Sequence, residues 1–339
     1  MPFKNNWLCR TLQILFAVFL CVPLGAYAEE QVRYVVPGGQ SVGVSLDLSG
    51  VYVDELGSIE TEEGGLLSPA KNGGIAKGDV ITAVNGSEVK TVDQFKERME
   101  EIEDPSSVSV SVTKPSGETE TCTVAAAKAA EDGKYKIGVW IKDAASGVGT
   151  ITYYDPKTGE FTAIGHSISE GGVSSQASGD VYKAEVVGVR KGEQGVPGEL
   201  IGVYSENKLK IGSILTSNAT GIRGTVSNPE NLISVHEAVP VADCEEVQMG
   251  DAVIYSNVEG SKIQEFKIEI TEINQSDSSG KDIVFKVRDD ELIQKTGGVV
   301  RGMSGSPIIQ NDKIIGSVTH VLVNEPTMGY GIFIKNMQE

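Results

Sequence analysis

The stretch Gly302-Met303-Ser304-Gly305-Ser306-Pro307 stands between the apolar pair Val299-Val300 and a strand-like run from Ile308 to Ile315. A serine flanked by glycines in a tight turn between two strands keeps its hydroxyl exposed, and the backbone N–H groups of the turn converge beside it. Read alone, the six residues fit an ordinary Gly/Ser turn equally well. Ser306 is the poorer nucleophile of the two serines, because Pro307 restricts the backbone before it.

Along the chain, strand-like runs recur at 137–141, 149–154, 161–164, 182–190, 200–204, 211–216, 221–226, 252–256, 263–273, 282–287, 308–318 and 329–334. No long helical pattern interrupts them, and the spacing is that of an all-β barrel or sandwich. The 40 glycines and the low aromatic content point the same way. The expected container for the Ser304 turn is a trypsin-like double β-barrel.

A nucleophilic serine needs a general base and a group that orients it. Of the three histidines, His166 stands in Thr162-Ala163-Ile164-Gly165-His166, where a strand ends among small residues. An ordinary imidazole pKa of about 6.5 suits proton transfer near neutral pH. A surface turn histidine is the plain alternative. His236 and His320 lie in or beside strand patterns and read as sheet residues, with His320 a reserve because it closely follows the Ser304 turn. Among 47 acidic residues spacing selects no single carboxylate: Asp289 and Asp290 end a strand shortly before Ser304, and Asp180 and Asp243 remain alternatives.

Upstream, residues 33–125 follow the pattern of a PDZ domain, a mixed α/β module that binds peptide ends by strand addition. Its most specific part is Ser68-Pro69-Ala70-Lys71-Asn72-Gly73-Gly74-Ile75-Ala76-Lys77-Gly78-Asp79-Val80-Ile81-Thr82-Ala83-Val84-Asn85-Gly86. A helix follows, capped by Thr91 or Asp93, with Val92, Phe95, Met99 and Ile102 at helical spacing. Ser41-Val42-Gly43-Val44 matches the loop whose N–H groups would grip a peptide carboxylate, although a Gly-rich turn before a strand is common. The polar stretch 125–133 marks the expected boundary, leaving 134–339 for the β domain.

At the start, Lys4 and Arg10 precede an apolar run from Leu12 to Leu24, and Ala26-Tyr27-Ala28 has the small-residue pattern that a signal peptidase accepts. Residues 1–28 read as a signal peptide or signal anchor. The formal charge of −18 argues against a nucleic-acid partner held by electrostatics. Cys122 and Cys244 fall in different expected domains and in no Cys-x-x-Cys spacing, so free thiols fit better than a disulfide. With the histidines far apart and no His-Glu-x-x-His pattern, neither a metal nor a cofactor is expected.

The segment from Arg288 through Gly302-Met303-Ser304-Gly305-Ser306-Pro307 to Gln310 closely resembles the carboxy-terminal block of the stage IV sporulation protein B (SpoIVB) serine peptidases. The likeness continues through Val318-Thr319-His320-Val321 and Gly329-Tyr330-Gly331-Ile332-Phe333-Ile334, and upstream through Pro37-Gly38-Gly39-Gln40-Ser41 and Gly165-His166. The resemblance implies an exported serine endopeptidase with His166 as base, Asp289 as orienting acid and Ser304 as nucleophile. The amides of Gly302 and Ser304 would form its oxyanion hole. Asp290 adjoins Asp289, so the choice of acid is the weakest carry-over. The resemblance further implies secretion across the forespore membrane, self-cleavage, and cleavage of a membrane-bound regulator of an intramembrane protease, which leads to sigma-factor activation in the mother cell. The competing expectation is a non-catalytic PDZ adaptor in the envelope, which would have no need of both His166 and Ser304 in glycine-lined turns. A PDZ-bearing heat-shock protease would carry its domains in the reverse order.

Overall fold

The computed structural model describes residues 32–337 apart from 165–177, 206–207, 219, 233–235 and 275–279, and at 47–48 and 143–146 the backbone alone. The expected export segment 1–28 lies outside the described residues.

The body opens with β1 (Tyr34–Pro37) and the 16-residue β2 (Ser41–Leu56). Val42, Val44 and Leu46 are fully buried at alternate positions of β2, as the two-residue period of a strand requires. The second half of β2 enters a small module with α1 (Pro69–Asn72), β3 (Val80–Val84), α2 (Val92–Glu100), β4 (Val108–Thr113) and β5 (Thr119–Val124). Its strands lie in the order β2-β3-β4-β5. Helix α2 starts where the Thr91 side chain accepts the Gln94 N–H, and it buries Phe95 and Met99 one turn apart. On β4, Val108, Val110 and Val112 face the core, with the serines between them facing outward. Lys114 Nζ lies 2.9 Å from the carboxylate of fully buried Asp79, tying the β4–β5 turn to the loop before β3.

The chain leaves this module along β6 (Val139–Asp155), 17 residues long. Val139–Lys142 pair with Tyr52–Leu56 inside the module, and Ala144–Thr150 pair with Ser41–Asp47 beyond it. Two strands thus run as one ladder through both parts of the protein. After them come β7 (Glu160–Ala163), β8 (Ser178–Arg190), β9 (Glu199–Tyr204), β10 (Lys210–Asn218) and β11 (Gly221–Val226). The pairings β2-β6-β7-β11-β10-β8 and back to β2 close a six-stranded barrel around Val42, Val44, Leu46, Ile151, Phe161, Val181 and Ile211.

The short β12 (Val239–Pro240) pairs with β1. A second barrel is built from β13 (Gly250–Asn257), β14 (Ile263–Ile273), β15 (Ile283–Val287), then helix α3 (Asp290–Thr296), β16 (Pro307–Gln310), β17 (Lys313–Val321) and β18 (Met328–Phe333). It closes in the order β13-β14-β15-β18-β17-β16. Phe266, Phe285, Phe333 and Met303 fill it, joined in the same apolar cluster by Val186 and Leu200 from β8 and β9. The barrels also meet through polar contacts, among them Thr152 Oγ1 to Ser317 Oγ at 3.3 Å, both buried.

The mainly β class and the pair of barrels agree with expectation; the division of the chain does not. Residues 41–47 form a strand of the first barrel, so the small module is spliced into the β2–β6 ladder instead of preceding the barrels. A two-residue apolar period shows that a strand continues, but not which sheet each half of it joins. The expected single run 308–318 is a hairpin: Asn311 and Asp312 have φ of +50° and +59°, the left-handed pair that a type I′ turn needs. Helix α3 had no counterpart among the expected elements.

Candidate active site

Two glycines shape the Ser304 turn. Gly302 and Gly305 have φ of +95° and +100°, a region that disfavours a Cβ. A Cβ on Gly305 would stand 2.0 Å from the Thr150 carbonyl oxygen and 2.6 Å from the Ile164 nitrogen. Only glycine lets the turn press this closely against the first barrel.

The turn is held from both sides. From the second barrel, the Thr319 carbonyl accepts the Ser304 hydroxyl at 2.8 Å and the Val318 carbonyl accepts the Gly305 N–H at 2.8 Å. From the first, the Thr150 N–H donates to the Ser304 carbonyl at 2.9 Å, and Thr150 Oγ1 donates to the Gly302 carbonyl at 2.9 Å. The Arg301 carbonyl accepts the Leu200 N–H at 2.8 Å, and the Met303 carbonyl accepts the Ser306 N–H at 2.9 Å. In a planar trans amide, fixing the carbonyl fixes the N–H on the opposite side. The amide planes on either side of Gly302, and the plane that carries the Ser304 N–H, are therefore all held. Ser304 is half-buried, and Met303 anchors the turn as a fully buried plug in the second barrel. Ser306 is fully buried and its hydroxyl donates to Ser256 Oγ at 3.0 Å, which makes it a packing residue.

His166 lies outside the described residues. The last described residue before it, Ile164, is buried with φ of +53°, and its N–H donates to the Thr150 carbonyl at 3.2 Å. A left-handed β-branched residue is a genuine outlier, and it lies where the chain leaves the barrel wall beside the Ser304 turn.

The expected carboxylate requires correction. Asp289 is the N-cap of α3: its oxygens accept the Leu292 N–H at 3.1 Å and the Lys267 N–H at 3.3 Å. Thr319, which holds the Ser304 hydroxyl, falls between the Val318–Gly331 and Val321–Gly329 pairs, level with Tyr330 and hence with Val284. Asp289 is five residues beyond Val284, roughly 16 Å further along the strand at about 3.3 Å per residue. That exceeds the hydrogen-bond reach of a triad centred on Ser304. Asp290 is exposed on the first turn of α3. Asp180 sits in the first barrel, bonded to Lys210 Nζ at 2.6 Å and to the hydroxyls of Tyr182 and Ser213. Burial pushes its carboxyl up, but these partners outweigh burial and hold it below the usual range. Asp243 pairs with Lys335.

The expected peptide loop also requires correction. Ser41–Val44 lie within β2, paired with Gly147–Thr150 on one side, while Val42–Val44 pair with Val181–Lys183 on the other. Their backbone groups serve two ladders and offer no carboxylate cradle. Gly43 is required for a different reason, since a Cβ there would stand 2.2 Å from the Tyr204 ring. His236 stacks on Tyr255 with ring centroids 3.9 Å apart, and its burial, opposed by Glu265, lowers its pKa. His320 is exposed on the residue after Thr319. In the sequence Thr150 and Thr319 read as ordinary strand threonines.

A family model described as SpoIVB peptidase S55 matches residues 133–338. No curated protein matches the chain. Among solved structures, the Rv3671c protease of M. tuberculosis in its active form has 16% identity and a TM-score of 0.31, covering 57% of this chain and 71% of that one. An inactive-form serine-to-alanine mutant of Rv3671c has 15% identity and a TM-score of 0.30, covering 56% and 78%. The inactive form of the same protease has 14% identity and a TM-score of 0.29, covering 56% and 81%.

Proposed function

Because the chain belongs to the SpoIVB peptidase S55 family, we propose that it is a serine endopeptidase in which Ser304 attacks the scissile carbonyl and His166 takes the hydroxyl proton. The observation that carries this reading is the clamped turn, in which neighbouring amide planes are pinned by hydrogen bonds from both barrels. Pinned amides need no reorganisation as charge develops on the substrate oxygen, and a single oxyanion donor accounts for about 10²–10³ in rate. The Gly302 and Ser304 N–H groups are those donors. The Ser304 hydroxyl donates to the Thr319 carbonyl at 2.8 Å, and its proton passes to the imidazole as Oγ attacks. The entry of the chain into the His166 segment beside this turn, at Ile164, supports the pairing.

The finer role follows the family resemblance: export across the forespore membrane, self-cleavage, and cleavage of a membrane-bound regulator whose loss releases an intramembrane protease. The small module is PDZ-like on its sequence. The edge of β2 that would receive a peptide strand is covered by this chain's own Val139–Lys142, so a partner peptide engages the module elsewhere or displaces that segment. The test is incubation of the soluble body, wild type against Ser304→Ala, with fragment masses measured over time. Self-processing is expected in the wild type alone; undiminished processing in the alanine variant overturns the assignment.

A further inference from the structure

We propose that Thr150 is a positioning residue for the reaction, holding the Gly302–Met303 amide plane so that the two oxyanion donors converge. The proposal rests on Ser304 being the nucleophile. Thr150 is fully buried in β6, in the first barrel, yet its partners lie in the Ser304 turn of the second. Its N–H donates to the Ser304 carbonyl and its Oγ1 to the Gly302 carbonyl, each at 2.9 Å. Its own carbonyl accepts the Ile164 N–H at 3.2 Å. One residue therefore ties together both ends of the nucleophile turn and the strand end that leads to His166.

The side-chain bond is the informative one. The planes carrying the Gly302 and Ser304 N–H groups are fixed by Leu200 and Ser306 through the carbonyls of Arg301 and Met303. The plane between them, Gly302–Met303, is held by the Met303 N–H on the Val300 carbonyl at 3.1 Å and by Thr150 Oγ1 on the Gly302 carbonyl. Gly302, free of a Cβ, sets little resistance to rotation of that plane. Without the hydroxyl, the buried Gly302 carbonyl loses its donor from the first barrel, and the plane turns in search of another. Because that plane joins the two donor planes at the Gly302 and Met303 Cα atoms, its rotation pulls both against their anchors, and the donors diverge although the catalytic side chains are untouched.

The test uses the full chain with a fluorophosphonate probe, whose phosphoryl oxygen occupies the oxyanion site. Thr150→Val keeps the shape and removes the donor, whereas Thr150→Ser keeps the donor. The expected result is a fall of about 10²-fold in the maximal labelling rate of Thr150→Val at Ser304, with half-saturating probe concentration and the pH midpoint of labelling unchanged. Thr150→Ser recovers to within a few-fold of wild type. A merely structural role would lower the unfolding midpoint of both variants and leave the labelling rate of folded protein alone. If Thr150→Val does not fold, Thr150→Ala at low temperature is read by the same criterion. Labelling of the folded valine or alanine variant at wild-type rate, or equal loss in the serine variant, overturns the proposal. Absence of labelling at Ser304 in the wild type overturns the peptidase reading itself, and this inference with it.

Discussion

Replacing Gly305 by alanine tests whether the two barrels meet as tightly as the Ser304 turn requires. At φ of +100° the new Cβ would lie 2.0 Å from the Thr150 carbonyl oxygen and 2.6 Å from the Ile164 nitrogen. Both are backbone atoms of the first barrel, so neither can move aside as a side chain would. The left-handed backbone alone costs an L-residue about 1–2 kcal/mol, and forcing the wall back adds about 1–3 kcal/mol of overpacking. The sum, about 2–5 kcal/mol, is a large share of a typical stability of about 5–15 kcal/mol. With a urea slope of about 3 kcal/mol/M the midpoint falls by about 0.7–1.7 M. Gly117→Ala is the matched control, because its φ is +90° and nothing lies within 4 Å of a Cβ there. It carries the backbone cost alone. Urea titration of both variants, followed by intrinsic fluorescence, separates the two contributions. A midpoint for Gly305→Ala no lower than that of Gly117→Ala would refute the close approach of Thr150 to the nucleophile turn.

If Asp289 caps α3 and does not orient a base, Asp289→Ala loses about 1 kcal/mol of stability and Asp289→Asn only a few tenths. Fluorophosphonate labelling per folded molecule then stays at the wild-type rate in both, and a hundredfold loss in folded Asp289→Asn would return the residue to the catalytic site. Asp180, held below the usual carboxylate range against its burial by Lys210 and two hydroxyls, contributes stability that is present above its unfolded pKa of about 3.9 and is lost as the pH falls through the lower folded value. Thermal melts of Asp180→Asn should therefore fall below wild type by a constant interval from pH 7 to 5, an interval that closes as the pH drops below about 4. An interval still undiminished at pH 2 would contradict this.

Most kinds of element, and the glycine-flanked turn at Ser304, are legible in short stretches of the chain, though α3 and the break at Asn311-Asp312 are not. Alternating Val108, Val110 and Val112 form a strand with one face buried, Thr91 followed by Phe95 and Met99 starts an amphipathic helix, and glycines at 302 and 305 favour a tight turn around Ser304. These are properties of short stretches, set by backbone sterics and side-chain period within a few residues. Which stretches meet is set by the packing of the whole chain. A period of two cannot say that Ser41–Asp47 closes a barrel while Gly50–Leu56 serves a separate module, because both halves of β2 alternate alike. Nor can composition say that Asp289 spends its oxygens on backbone amides of α3 and β14, or that Thr150, more than 150 positions from Gly302 in the chain, donates its hydroxyl to that glycine's carbonyl. Such contacts arise when two closed barrels are pressed together, and no local pattern records which residues then face each other.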